Sequence, residues 1–339
     1  MTGPDQAPAT ASASAPAPAP AVGRRPSGSP LRFAVLGTGY WARSCHGTVL
    51  AERPDVDFVG FWGRDGAKAE HAAAGVGRGR GFTDLDALLD AVDAVAIALP
   101  PDVQASLAVR AARAGKHLLL DKPLALDVPA ADDVVRAVAE SGVTSLSFMT
   151  FLFQEEVTAW LARMQTLAAA HGPWEGVSVR CAGSIDTPGS PYAGSVWRRE
   201  RGGLWDWGPH ALSLILSLLP PVERVAAVRG MRDTVHMGNE HTGGPVSSMT
   251  LTVTAPAKAQ ESVITVWGPA GRESLKLPTG TLREACHRAV DQFQEAVAGR
   301  DGRAHPLDAA YARNIVAVLD AAERQLALPA EQRATAPAL

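Results

Sequence analysis

The sequence predicts an α/β protein, with a doubly wound parallel sheet in its first half and a smaller α+β domain with a mostly antiparallel, open-faced sheet in its second. Three observations point there. Short, nearly continuous apolar runs alternate with helical stretches up to about residue 150, as expected for strands covered on both faces. The first run ends in Gly37-Thr38-Gly39, a glycine pair where a strand should turn into a helix. Beyond residue 151 the strand-like runs follow one another without intervening helices, which favours antiparallel neighbours.

Leu31-Arg-Phe-Ala-Val-Leu36 is the first strand, followed by a helical stretch from Trp41 to Glu52. Phe58 to Trp62 is the second strand, and it stops at Gly63-Arg64-Asp65. Asp65 is placed to cap the helix that carries Lys68 to Ala73. Ala94 to Leu99 is a strand ended by Pro100-Pro101, and the helix Val103 to Ala114 closes at Gly115, a favoured residue just past a helix end. His117 to Leu120 (strand), Pro129 to Ser141 (helix) and Thr144 to Met149 (strand) complete the first domain. Alternation this regular implies right-handed crossovers and a parallel sheet. In the second half, a helix from Glu155 to Ala170 precedes a strand from Val177 to Cys181, and a helix runs from Gly208 to Leu219. Strands near Val225 to Arg229, Ser247 to Thr254 and Ser262 to Trp267 come next, and helices from Leu282 to Ala298 and Leu307 to Leu326 close the pattern. The expected organisation is a tail over residues 1–30, a dinucleotide-binding domain over 31–150, a substrate-binding and oligomerisation domain over 151–327, and a flexible end over 328–339.

The 339 residues carry a formal net charge of -3, with acids and bases interspersed. This balance gives no electrostatic footprint for nucleic acid, so small-molecule partners are expected. Cys45, Cys181 and Cys286 are three widely spaced cysteines. They form neither a disulfide framework nor a zinc pattern, and read as small buried hydrophobes of a reducing, cytoplasmic protein. No apolar stretch approaches the roughly 18 residues of a membrane span. The Ala/Pro/Ser/Gly tract of residues 1–30 cannot bury enough surface to fold. Arg24-Arg25 within it lacks the apolar segment and small-residue cleavage site of an export signal.

The chemistry lies in three short strings. In Gly37-x-Gly39-x-x-Ala42, the first glycine permits a tight turn and the second lets backbone approach a pyrophosphate. The small third residue lets helix pack on strand, and the helix start presents free N–H groups to the anion. The second strand ends in Gly63-Arg64, where a carboxylate would accept bonds from a free ribose hydroxyl. A guanidinium there suits a 2′-phosphate instead and favours NADP(H) over NAD(H); Asp65 is the alternative ribose acid. Lys122 in Asp121-Lys122-Pro123 follows a strand at the carboxyl edge of the sheet, where its ammonium can stabilise a substrate oxygen that gains negative charge. Asp206 and His210 lie four apart and share a face if helical. His210 can exchange a proton with a hydroxyl or carbonyl oxygen, while Asp206 fixes its tautomer or binds a hydroxyl. Trp197, Trp205 and Trp207 flank this segment, where they could serve either the core or the C–H faces of a sugar ring.

These strings resemble the Gfo/Idh/MocA oxidoreductase family over about residues 31–327. The segment from Ala98-Leu99-Pro100-Pro101 through Asp121-Lys122-Pro123-Leu124-Ala125 is similar to its E-K-P region, with Asp121 in place of Glu. Trp197-Arg198, Gly202-Gly203 and Asp206-Trp207-Gly208-Pro209-His210 resemble its W-R, G-G and D-x-G-x-H elements. The resemblance implies a catalytic lysine at Lys122, an acid/base at His210 and a carboxylate at Asp206 between substrate and histidine. It also implies a homodimer or homotetramer. Two departures concern substrate contacts: Gln104 stands where a histidine is common, and Thr150-Phe151-Leu152 replaces residues that are often polar.

The expected protein is an NAD(P)-dependent, metal-free oxidoreductase acting on a secondary alcohol or ketone of a sugar, cyclitol or related polyhydroxylated molecule. Its expected dinucleotide contacts are Gly37, Thr38, Gly39, Tyr40, Trp41, Gly63, Arg64, Leu99, Pro100, Asp121 and Lys122. Trp197, Arg198, Asp206 and His210 are the expected substrate contacts, and Lys122, Asp206 and His210 the catalytic group. The alternatives are a dinucleotide- or sugar-sensing regulator without turnover and a relative that cleaves glycosides with no net redox change.

Overall fold

The computed structural model describes residues 29–278, 280, 282–299 and 304–328. The tail up to residue 28, with Arg24-Arg25, and the end from residue 329 lie outside the described residues.

Strands β1 (Leu31–Leu36), β2 (Val56–Trp62), β3 (Arg80–Phe82), β4 (Ala94–Ile97), β5 (His117–Leu120) and β6 (Ser145–Ser147) form one sheet. Their order is β3-β2-β1-β4-β5-β6 and every pairing is parallel. This is the order of doubly wound dinucleotide-binding sheets, whose ligand crevice opens where the order reverses between β1 and β4. The connections are helical: α1 (Thr48–Glu52, entered through a π-helical turn at Ala42–Gly47), α2 (Gly66–Val76), α3 (Leu85–Ala91), α4 (Pro101–Arg113) and α5 (Val128–Ser141). Asp65, Asp84 and Asp127 cap α2, α3 and α5 through their side chains, each satisfying N–H groups that the first helical turn cannot. β1, β4 and β5 are almost wholly enclosed, which is why they read as continuous apolar runs.

The second sheet contains β7 (Gly176–Ala182), β8 (Val222–Arg229), β9 (Val235–His241), β10 (Val246–Thr252), β11 (Glu261–Gly268) and β12 (Gly271–Lys276), in the order β12-β11-β7-β10-β9-β8. All its pairings are antiparallel except that of β7 with β10. One face is covered by apolar side chains. The other presents pairs such as Ser178–Ser248 and Thr265–Ser274 outward, so the strands alternate in burial as one-sided sheets do. Helices α6 (Glu155–His171) and α7 (Val196–Leu216) belong to this half.

Two further helices, α8 (Leu282–Val297) and α9 (Ala309–Ala327), close the described chain. Despite its late position in sequence, α8 lies on the first sheet. Phe293 packs on Phe33 of β1 with ring centroids 5.5 Å apart, and Ala285, Cys286, Ala289 and Val290 join the same apolar cluster. The three cysteines are all buried and free, as expected.

The sequence reading missed β3, α3, β9 and β12, and it began α7 too late. The helix already starts at Val196 and takes in the whole Gly202–His210 string. Gly202 breaks it with φ 61° and ψ -161°, a conformation reserved for glycine. No helix among the described residues is long and apolar enough to cross a membrane.

Candidate active site

The Gly37–Ala42 loop opens onto the β1/β4 crevice. Gly37 has φ 128°, and a Cβ there would stand 2.5 Å from the carbonyl oxygen of Ala98, so the tight turn admits glycine alone. At Gly39 a Cβ would meet nothing within 4 Å; its backbone faces open space, as close approach of a phosphate requires. Ala42 is enclosed where the helix packs on the strand. The loop therefore fits a pyrophosphate. Tyr40 is exposed and meets Tyr192 edge-on at 5.9 Å. Trp41 instead stacks on Phe148 with its ring within the apolar cluster.

At the end of β2 stands Gly63, where a Cβ would lie 2.7 Å from Thr38 Cγ2, so a side chain there would have to displace the Thr38 methyl. Asp65, the alternative ribose acid, accepts the Lys68 N–H at 3.1 Å as a helix cap. Arg64 between them is exposed and has no ion pair with the described residues.

Lys122 follows the carboxyl end of β5, whose last residue pairs with Ile97 of β4 just before Leu99 and Pro100. Asp121 accepts the Lys122 N–H at 2.8 Å, and its other oxygen lies 3.6 Å from Nε2 of the enclosed His46. Burial disfavours charge on His46, yet the Asp121 carboxylate and the Cys286 thiol raise its pKa to about 10. The loop is fixed from below by Gln104, which is 1% exposed. Its Nε2 donates to the carbonyls of Asp121 (2.7 Å) and Pro123 (2.9 Å), and its Oε1 accepts from the Asp121 N–H at 3.0 Å. Gln104 thus holds the backbone on both sides of Lys122. Sequence reasoning had placed it only as a departure among substrate contacts.

Lys122 reaches across to α7. Its Nζ donates to the Asp206 backbone oxygen at 2.7 Å and to Asp206 Oδ1 at 2.9 Å. An ammonium has three donors, so one remains for a substrate oxygen. Arg198 Nε donates to the same Oδ1 at 3.2 Å, with its guanidinium stacked between Tyr192 and Trp197 at 4.3 and 4.6 Å. Burial would raise the Asp206 pKa, but the two cations hold it down at about 2. His210, one turn further along α7, is depressed well below 6.5 by burial and by Lys122 and Arg198, against the pull of Asp206. It is therefore neutral near pH 7. Its Nδ1 is enclosed with no hydrogen-bond partner among the described residues, which leaves Nε2 for a substrate oxygen.

The rings of Phe151 and Trp207 flank His210 at 5.2 and 5.9 Å. Trp205 is fully enclosed and belongs to the core rather than to a sugar-facing wall.

Residues 31–149 match the family model described as "Oxidoreductase family, NAD-binding Rossmann fold". Over those residues the chain is similar to the Gfo/Idh/MocA family. A yeast protein of this similarity group, the uncharacterised YMR315W of Saccharomyces cerevisiae, is 28% identical over 59% of the chain; the match spans 58% of that relative, less than two thirds of its length. A dTDP-3,4-didehydro-2,6-dideoxy-α-D-glucose 3-reductase from Streptomyces antibioticus is 28% identical over 76% of this chain and 78% of its own. Among solved structures, GenD2 from gentamicin A biosynthesis, in complex with NAD, superposes with a TM-score of 0.73 at 24% identity, covering 89% of this chain and 97% of that one. That likeness shows the fold alone: a Rossmann sheet followed by a mostly antiparallel second sheet.

Proposed function

We propose that this protein is an NADP(H)-dependent oxidoreductase acting on a secondary alcohol or ketone of a sugar, cyclitol or related polyhydroxylated molecule, with residues 31–150 holding the dinucleotide and 151–327 the substrate. The observation that carries the reading is the convergence of Lys122, Asp206 and His210 at the carboxyl edge of the first sheet. Gly37, Gly39, Tyr40, Gly63 and Arg64 would hold the dinucleotide, and the nicotinamide, when bound, supplies the hydride acceptor or donor. Lys122 stabilises negative charge on the substrate oxygen through its remaining N–H. Asp206 keeps that ammonium in place, and His210 Nε2 takes or returns the hydroxyl proton. Because His210 is neutral near pH 7, it stands ready as the base for alcohol oxidation.

NADP(H) is the favoured dinucleotide because β2 ends in Gly63 rather than an acid, Asp65 is engaged as a cap, and Arg64 is uncommitted. Arg64→Ala should weaken NADP binding by about 1.5 to 3 kcal/mol, the range of a charge-assisted hydrogen bond, and leave NAD affinity nearly unchanged. Titration calorimetry with both dinucleotides checks this, and equal losses would remove Arg64 from cofactor choice. A cytoplasmic homo-oligomer is the accompanying reading, supported by three free buried cysteines and by the open polar face of the second sheet. The function itself is tested by a turnover screen of sugars, cyclitols and keto-sugars with both dinucleotides; absence of nicotinamide absorbance change throughout would overturn it.

A further inference from the structure

We propose that Asp233, in the turn between β8 and β9, is a positioning residue that sets where Asp206 and His210 stand relative to Lys122. The inference rests on the roles just proposed for those three residues.

The break at Gly202 gives the second half of α7 its own N-terminus inside the protein, and N–H groups at such an end need partners. Asp233 supplies one. Its Oδ2 accepts the Gly203 N–H at 2.8 Å and also the Val253 N–H at 2.7 Å. Its Oδ1 accepts the Thr252 hydroxyl at 2.6 Å and the Thr254 hydroxyl. A single carboxylate therefore ties the start of the helical segment to the end of β10, and all four bonds favour its ionised form against the cost of burial. The negative charge also lies at the end of a helix that attracts it.

The surroundings are built for this contact. Arg232, immediately before Asp233, is the one residue other than glycine with positive φ among the described residues, at 58°. Its guanidinium donates to the Thr254 carbonyl at 2.9 Å. An unfavourable backbone kept at one point signals a constraint imposed by its neighbours. The helix side is equally constrained: a Cβ at Gly202 would meet Asp233 Cβ at 3.1 Å, and one at Gly203 would stand 2.6 Å from the Thr252 backbone. The Gly202-Gly203 pair is thus the seat of Asp233. Asp206 follows Gly203 by about one turn and His210 by about two, so a shift at the cap carries both along the helix axis.

The test compares Asp233→Asn and Asp233→Ala with Ser247→Ala. The last removes a buried hydroxyl bonded to Asn239 and His241, remote from the site, and serves as a control of similar destabilisation. Asp233→Asn should lower kcat about 10- to 100-fold with dinucleotide Kd unchanged, and Asp233→Ala should lower it further, while Ser247→Ala keeps kcat within about twofold. In histidine-labelled protein, with the His210 signal assigned by His210→Ala, NMR titration should show the His210 midpoint moving up toward 6.5 in both Asp233 variants. That arm needs no substrate, so it decides the matter even if the proposed reaction fails. An unmoved His210 titration in a folded Asp233→Asn, or a loss of kcat matched by Ser247→Ala, would overturn the proposal.

Discussion

Lys122→Met and His210→Ala should each lower single-turnover hydride transfer by about 10²- to 10⁴-fold, the range for a lost oxyanion donor or acid/base, while dinucleotide affinity survives. Lys122 approaches α7 through the Asp206 carboxylate and carbonyl, and His210 lies one turn beyond. Two groups serving one oxygen act as a unit, so the double variant should lose much less than the product of the single losses. The measurement is nicotinamide absorbance in rapid mixing; near-wild-type rates in both single variants would take these residues out of the mechanism and favour a sensing protein. The depressed His210 pKa adds a pH expectation. With its imidazole neutral, alcohol oxidation should hold its rate from about pH 8 down to about 6.5. The stability sign is the same: the folded state resists a proton that the unfolded chain accepts. Stability from His210 is therefore full above the ordinary histidine pKa and falls as pH drops through it.

The second large effect is expected at Gln104. Gln104→Leu removes the side-chain partner of the Asp121 and Pro123 carbonyls at once, at a position only 1% exposed, while the Asp121 N–H keeps the Ile97 carbonyl at 3.2 Å. Each buried group left unpaired costs about 1 to 3 kcal/mol, so destabilisation on the order of 3 kcal/mol is expected. Because the freed backbone flanks Lys122, turnover should fall more steeply than dinucleotide affinity. Thermal melts and kinetics on the same variant check both; a stable, fully active Gln104→Leu would show that the loop holds its shape without the clamp.

Most of the first sheet was legible because its strands are enclosed on both faces and punctuated by glycine and proline. β3 escaped because it is a three-residue edge strand with little apolar content. β9 escaped for a different reason: its inward positions include Asn239 and His241, which both bond the Ser247 hydroxyl and break the apolar alternation. β12 is largely exposed. In α7 the sequence reading starts the helix only at Gly208, since the Gly202-Gly203 pair is poor in helix propensity, whereas the helix begins at Val196 and is interrupted at Gly202 alone.

The site was legible where its residues are close in sequence, as with Asp206 and His210. The Gly37 loop was legible because only glycine can make its turn. What no local pattern encodes is that Lys122 pairs with Asp206 across 84 residues, or that Asp233 reaches back 30 residues to Gly203. Such pairings follow from how two sheets meet, which spacing does not contain. Gln104 was visible as an unusual residue, but its partners are backbone atoms, and backbone atoms leave no signature in sequence.

The placement of α8 has a bearing on how this molecule can be divided. Cutting the chain after residue 150 would separate sequence at the natural seam yet strip the first sheet of Phe293, Val290 and their neighbours. It would also take from Arg53 its pairing with Asp291 at 2.7 Å, leaving it to Asp55 alone. The first sheet is thus finished by a helix that follows every strand of the second sheet in sequence. A ribosome must deliver the strands of the second sheet before the first can close, and an isolated fragment of residues 31–150 would expose a greasy flank and clump. Grafting experiments on this scaffold should carry α8 along, by circular permutation or as a fused helix, rather than follow the linear boundary.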